Sequence, residues 1–286
     1  MKYLASILFL TAFTVSSCKK ESMDDVSNLN GGRIDVMGHG GSGFQTYTND
    51  LPANSFTSVK KAIDGLGADG VEIDIQMSRD NVLFLYHDET LETATNGFEE
   101  VGNSDSAYLK TLKYSRSMNS SIFKDEPLVT LEEVLAHFSN YAKKPKISLD
   151  VKGLSGPDSS RQGREKLQVA KIMELVFKYN AADWICIESY SGDFLEMFRS
   201  YETNLELMAD ATDFSSTLDM AKKYSLDGIV IMNNKVSAEQ VALAHQNNIK
   251  VVIYEVKTKG GSLDAIAKNP DAIQTDNISL LQECMK

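Results

Sequence analysis

Excess positive charge, cysteine and long apolar runs are all scarce in this 286-residue chain, and each shortage narrows its function. Lysine and arginine number 29 against 40 aspartates and glutamates, a net charge of −11 at neutral pH. No basic patch exists to neutralise phosphates, which argues against a nucleic-acid partner. The same deficit disfavours electrostatic adhesion to anionic lipid. The three cysteines, Cys18, Cys186 and Cys284, make neither a disulfide framework nor a zinc-ligand spacing. No glycine fingerprint for a dinucleotide follows any strand-like stretch. The apolar run over residues 3–15 is too short to span a bilayer stably.

That run reads instead as an export signal. Lys2 precedes it, and Ser16-Ser17-Cys18-Lys19-Lys20 follows, giving a positive start, an apolar centre and small residues before a cleavage point. A cysteine placed there resembles a bacterial lipobox, in which Cys18 takes a lipid and becomes the mature terminus. The expected organisation is a signal peptide over residues 1–17, a polar flexible tether over 18–32 and one domain over 33–286. The chain is then exported and lipid-anchored to the cell envelope, in the periplasm or at the outer membrane. Lipidated Cys18 is its only expected membrane link, and no protein partner is expected. A domain of this size suits a (β/α)8 barrel, which typically takes ~250 residues.

From Arg33 onward, strand-like and helix-like stretches alternate. Strands are expected at 34–38, 71–76, 146–151, 184–189, 205–209, 228–232, 250–256 and 272–275. Helical patterns lie between them, and eight such strands imply a parallel sheet closed into a barrel. Strand two carries an extension. Val71, Ile73 and Ile75 alternate with Glu72, Asp74 and Gln76, and Asp80-Asn81 separates them from a second apolar run. A two-residue turn there pairs Arg79 with Val82 and sets Asp74 across the ladder from His87. The polar stretch that follows, to residue 126, is expected as an insertion at the barrel mouth.

Chemistry-bearing residues collect where parallel strands end. His39 closes strand one inside Gly38-His39-Gly40-Gly41, where small neighbours let a ligand approach the backbone. Glu72 and Asp74 leave strand two on one face, His87 ends the hairpin return, and Asp150 and Lys152 end strand three. Three carboxylates, Glu72, Asp74 and Asp150, make an oxygen-rich site for one hard cation, Mg²⁺ or Ca²⁺. Two imidazoles beside it, His39 and His87, suit a general base and a general acid. Lys152 offers fixed positive charge to an anionic substrate. The combination points to metal-assisted attack on phosphorus. His137 and His245 sit in helical patterns and read as packing or surface histidines, and Asp276 reads as a cap for the last helix.

With those residues in hand, the run from Gly38 onward resembles the glycerophosphodiester phosphodiesterases, barrels of the phosphatidylinositol-phospholipase-like group. The matching motifs are Glu72-Ile73-Asp74, His87-Asp88-Glu89-Thr90-Leu91 with Thr95-Asn96-Gly97, Thr130-Leu131-Glu132-Glu133-Val134, and Thr275-Asp276. The departures are equally specific. The family's His-Arg-Gly reads His39-Gly40-Gly41, so its phosphate-clamping arginine is missing. Pro-Glu-Asn-Thr reads Pro52-Ala53-Asn54-Ser55, and Glu-x-Lys reads Asp150-Val151-Lys152. Trp-Thr-Val-Asn near strand seven reads Tyr254-Glu255-Val256-Lys257, where Lys257 is placed to restore positive charge.

The resemblance implies hydrolysis of a small phosphodiester to glycerol phosphate and an alcohol, with His39 as base and His87 as acid. It assigns Lys152, Gly40, Lys257 and Tyr254 to the substrate. Attack by water and attack by the substrate's own hydroxyl, through a cyclic phosphate, both stay open. Two rival readings use the same barrel: a phospholipase D-like enzyme acting on intact lipids or forming cyclic phosphates, and a non-catalytic binding lipoprotein.

Overall fold

The computed structural model describes residues 27–44, 51–114, 126–154, 158–201, 203–210 and 212–286. The expected signal peptide, Cys18 and most of the expected tether lie outside them. Residues 28–32 are tied to the domain: the Asn28 and Asn30 amides donate to backbone oxygens of Arg33, Pro270 and Asp271. No helix among the described residues is long and apolar enough to cross a membrane.

Eight parallel strands form the barrel: β1 (Asp35–Gly38), β2 (Gly70–Met77), β4 (Lys146–Val151), β5 (Ile185–Ser189), β6 (Glu206–Asp210), β7 (Gly228–Met232), β8 (Lys250–Val256) and β9 (Ala272–Thr275). Strand β1 pairs with both β9 and β2, which closes the ring. The short antiparallel β3 (Leu83–Leu85) adds to β2 outside it. This is the expected (β/α)8 architecture with its hairpin. Helices α1 (Phe56–Lys60), α2 (Ser106–Leu109), α3 (Leu131–Phe138), α4 (Asp158–Lys178), α5 (Gly192–Arg199), α6 (Phe214–Lys223), α7 (Ala238–Gln246), α8 (Lys259–Ala267) and α9 (Ile278–Cys284) complete the described chain.

Period-two alternation decides what each strand shows to each side. On β2, β4 and β5 the odd positions Val71, Ile73, Ile75, Ile147, Leu149, Ile185 and Ile187 join the core shared with the helices. Burying each such side chain contributes roughly 1.5–3 kcal/mol, so a one-residue register slip is strongly disfavoured. The other face points into the barrel. There Met37, Met208, Val230, Val252 and Ala272 form a separate apolar cluster. Nearer the carboxyl ends the lining turns acidic, with Glu72, Asp74, Asp150, Glu188, Asp210 and Asp276 all buried.

The hairpin register differs from expectation by one residue. Ile75 pairs with Leu85 and Met77 with Leu83, so Asp74 stands opposite Tyr86, whose N–H donates to the Asp74 carbonyl at 3.1 Å. The turn is longer because Ser78 closes on Val82, leaving Arg79, Asp80 and Asn81 in the loop. Asn81 takes the left-handed conformation at φ 68°, the usual end of a three-residue hairpin loop. Asp80 is held there by the Ser78 hydroxyl and by the Ser106 backbone and hydroxyl. The insertion beyond the hairpin has its own small core, built by Phe84, Tyr86, Leu91, Val101, Leu109, Leu112, Tyr114 and Leu128.

Candidate active site

Strands β2 and β4 lie in register with Asp74 opposite Asp150, so their inward side chains meet at the mouth. Glu72, Asp74 and Asp150 each offer an oxygen within 4.8 Å of the other two. The Lys152 ammonium lies 2.6 Å from Asp74 Oδ1 and also bonds Asp150 Oδ2. Asn54 fixes Asp74 from the other side: its amide donates to Oδ2 at 2.6 Å, and its carbonyl oxygen accepts from the Asp74 N–H at 2.9 Å. Asn54 does this from φ 64°, a conformation that asparagine tolerates better than most residues.

Electrostatics divide the trio. Burial, then the neighbouring Asp74 and Asp150 charges, push the Glu72 carboxyl well above the usual range, although it accepts a 2.8 Å bond from the Gly40 N–H. Burial also opposes ionisation of Asp74, but Lys152 and His87 hold it below its ordinary value. Asp150 is raised, chiefly by burial. Its Oδ1 is buried without a hydrogen-bond partner. One lysine therefore answers three buried carboxyls, and an orphaned oxygen is left over. Hard oxygen donors, excess negative charge and that orphan fit one divalent cation.

His39 follows β1, and its Nδ1 lies 2.9 Å from Asp276 Oδ1, which leaves Nε2 toward Glu72 Oε2 at 4.0 Å. Asp276 also accepts from the Phe44 N–H at 3.0 Å. It is thus no helix cap, as the sequence had implied; Asn277 caps α9 by accepting from the Leu280 N–H. The chain folds this tightly because Gly43 adopts φ 109° against Asp276, where a Cβ would sit 2.3 Å from a backbone oxygen. His87 lies beyond the β3 ladder. Gln76 holds its turn by donating to the carbonyls of Tyr86 and Asp88, at 3.0 and 2.8 Å. The hydrogen bond to Asp88, at 3.1 Å, and the Asp74 charge raise the His87 pKa against the effect of burial.

The ring of Phe44 stands between the two histidines, 4.5 Å from His39 and 5.1 Å from His87 by centroid. It also covers Gly40, so the place beside the missing arginine holds an aromatic ring. Lys257 is exposed and already paired: its ammonium lies 2.9 Å from Glu255 and 3.5 Å from Asp276. A cavity of about 310 Å³ opens beside His87 and Lys152, bordered by Gln76, Met77 and Glu89.

Across the mouth the chemistry changes. Glu188 turns inward, bonded by the Ser148 hydroxyl and, at 2.7 Å, by Gln274, and burial raises its carboxyl to about 8. Asp210, at the end of β6, is raised to about 7, first by burial and then by Asp150. Tyr190, just past β5, and Tyr254, on β8, stand near it, and both phenols are shifted up by burial and by Asp210. Tyr254 precedes a bulge in β8, where Glu255 sits at φ 63° and the pairing with β9 slips between Ile253 and Val256. Bulges of this kind re-aim side chains at a barrel rim. The remaining histidines lie elsewhere: His137 bonds Tyr141 at 3.0 Å, and His245 bonds Asp271 at 2.9 Å. The motifs contained Asn54 and Asp276 without giving either its role beside Asp74 or His39, and they did not single out Gln76, Phe44 or Asp210. For Asp276 a signal was available, since it continues the inward face of β9 after Gln274.

A closed parallel barrel whose mouth gathers three carboxylates, a lysine and two imidazoles holds the groups that a phosphoric diester hydrolase needs. The sequence profile of the glycerophosphoryl diester phosphodiesterase family matches residues 45–280, and the chain belongs to that family. A glycerophosphodiester phosphodiesterase of Bacillus subtilis is 28% identical over 226 residues, covering 75% of this chain and 72% of that one. Glycerophosphodiester phosphodiesterase GDPD4 of Arabidopsis thaliana is 24% identical over 253 residues, covering 88% and 73%. Among solved structures, an Oleispira antarctica phosphodiesterase in complex with the product sn-glycerol-3-phosphate superposes with a TM-score of 0.74. It is 20% identical, with 88% of this chain and 96% of that chain covered.

Proposed function

We propose that this chain hydrolyses glycerophosphodiesters to glycerol phosphate and an alcohol, with a divalent cation held by Glu72, Asp74 and Asp150. The observation that carries the reading is the meeting of those three carboxylates with Lys152 below two imidazoles. When bound, the cation would neutralise phosphate charge and favour attack on phosphorus. The protein's own groups do the rest. Lys152 is positioned to pair with a phosphate oxygen. Asp276 accepts a hydrogen bond from His39 Nδ1–H, so Nε2 is the free basic atom and removes the proton from the nucleophile, whether water or a substrate hydroxyl. His87, kept protonated to higher pH by Asp88, donates Nε2–H to the departing alkoxide. Glycerol phosphate as a product is supported by the ligand of the Oleispira relative.

Incubating the protein with a panel of glycerophosphodiesters and Mg²⁺ or Ca²⁺, and assaying glycerol phosphate, tests this directly. Release from at least one member is expected. No release from any member, with cation binding intact, favours a binding lipoprotein. We also infer export and anchoring through lipidated Cys18, on the strength of residues 1–20. Cys18→Ser is then expected to move the protein from the membrane to the soluble fraction; an unchanged distribution would refute the anchor.

A further inference from the structure

We infer that Asp210, Tyr190 and Tyr254 form a subsite for the leaving alcohol, and that it takes an alcohol bearing a primary ammonium group, of the aminoethyl type. The inference rests on the phosphodiesterase reading and adds the substrate class to it. Asp210 is only 4% exposed, and its Oδ1 has no hydrogen-bond partner. A buried carboxylate oxygen left unpaired costs free energy, which a ligand carrying an N–H donor would recover. Neither lysine of the mouth makes an ion pair with Asp210: Lys152 contacts Asp74 and Asp150, and Lys257 contacts Glu255 and Asp276. The two tyrosines add aromatic surface, on which a cation is favoured. Tyr190 is 56% exposed, so this side of the mouth opens to solvent.

Position agrees with chemistry. Strands β4 and β6 are separated only by β5, and Asp210 lies two residues beyond Met208, which is level with Asp150 through Glu188, so the two acids start roughly 12 Å apart at the backbone and closer at their inward side chains. A phosphate held near Asp150 and Lys152 would reach across that gap with a two-carbon linker ending in nitrogen. A quaternary ammonium would meet the tyrosine faces but has no proton for Asp210 Oδ1. A neutral glycerol would offer a hydroxyl without the charge. The expected order of preference is therefore aminoethyl, then choline, then glycerol esters.

The test compares kcat/KM for sn-glycero-3-phosphoethanolamine, sn-glycero-3-phosphocholine and glycerophosphoglycerol, alongside binding of ethanolamine itself by calorimetry or ligand NMR. Wild-type protein should prefer the ethanolamine ester over the glycerol ester at least tenfold. Asp210→Asn should erase most of that ratio and weaken ethanolamine binding at least tenfold. Tyr190→Leu, at a position 56% exposed, should lower the ratio several-fold and decides the matter should Asp210→Asn not fold. Equal kcat/KM for the three esters, or ethanolamine binding unchanged by both variants, overturns the subsite. Ethanolamine binding that depends on Asp210 or Tyr190, in a protein that cleaves no diester, upholds the subsite and removes the phosphodiesterase reading instead.

Discussion

The two sides of the barrel mouth are built on different terms. On the side of β1, β2 and β4, charges are dense and mutually arranged: Asn54 and Lys152 grip Asp74, Gly40 bonds Glu72, and Asp276 orients His39. On the side of β5, β6 and β8, Asp210 faces two phenols with one oxygen unpaired. Preorganisation on the first side is what bond cleavage needs, because groups already aimed require no rearrangement at the reacting centre. The second side is open and amphipathic, suited to holding a head group. Chemistry and selectivity should therefore separate under mutation.

The largest break should come from the imidazoles. His39→Ala or His87→Ala is expected to lower turnover by ~10²–10⁴ while leaving cation affinity nearly unchanged. Retained turnover in steady-state assays would remove the residue from the mechanism. Next, Asp74→Asn should abolish most of the rise in melting temperature that Mg²⁺ or Ca²⁺ gives wild type, since only native protein offers the site. A calorimetric scan with and without the cation reads this; an undiminished rise would count against Asp74 as a ligand. Asn54→Ala removes two buried bonds to Asp74 and forces alanine into the left-handed region, at a cost of roughly 2–4 kcal/mol in denaturant unfolding.

Gly40→Arg sharpens the comparison from the family's side. Restoring the arginine should not restore a clamp. Gly40 sits at φ 58°, and a Cβ there would approach Ala53 and Phe44 to 2.9 Å. The substitution should cost roughly 1–3 kcal/mol, several degrees in melting temperature, and lower turnover instead of raising it. Higher turnover with unchanged stability would show that the site accepts the family's geometry. The smallest effect is on pH. Asp88 raises the His87 pKa, so the protonated acid persists to higher pH. Asp88→Asn should move the alkaline limb of the kcat/KM profile to lower pH; a limb that stays in place would dissociate His87 from it.

Much of the first side was legible because its residues recur at spacing two on strands that end together. Glu72 with Asp74, and Asp150 with Lys152, announce an inward face from sequence alone, and the alternation of strands and helices announced the barrel. The hairpin register was not legible. Asp80-Asn81 has the composition of a two-residue turn, but Asp80 is recruited by Ser78 and Ser106, and Asn81 closes a three-residue loop. Asp276 was misread because an aspartate after a strand and before a helix is ordinarily a cap, and only folding brings His39 to it. Phe44 and Asp210 carry no motif. Their meaning comes from neighbours more than 40 residues away in the chain, His87 for one and Asp150 for the other, and from a vacant hydrogen-bonding oxygen that no sequence pattern encodes.

The central claim is that a cation at Glu72, Asp74 and Asp150 serves two histidines in cutting a phosphodiester. Its most direct test is glycerol phosphate release by purified protein, measured with a chelator and again after adding back Mg²⁺ or Ca²⁺, in wild type and in Asp150→Asn. Wild type should lose turnover with the chelator and regain it with the cation, and Asp150→Asn should require far more cation or fail to recover. Turnover indifferent to chelation, or equal cation dependence in Asp150→Asn, would contradict the account.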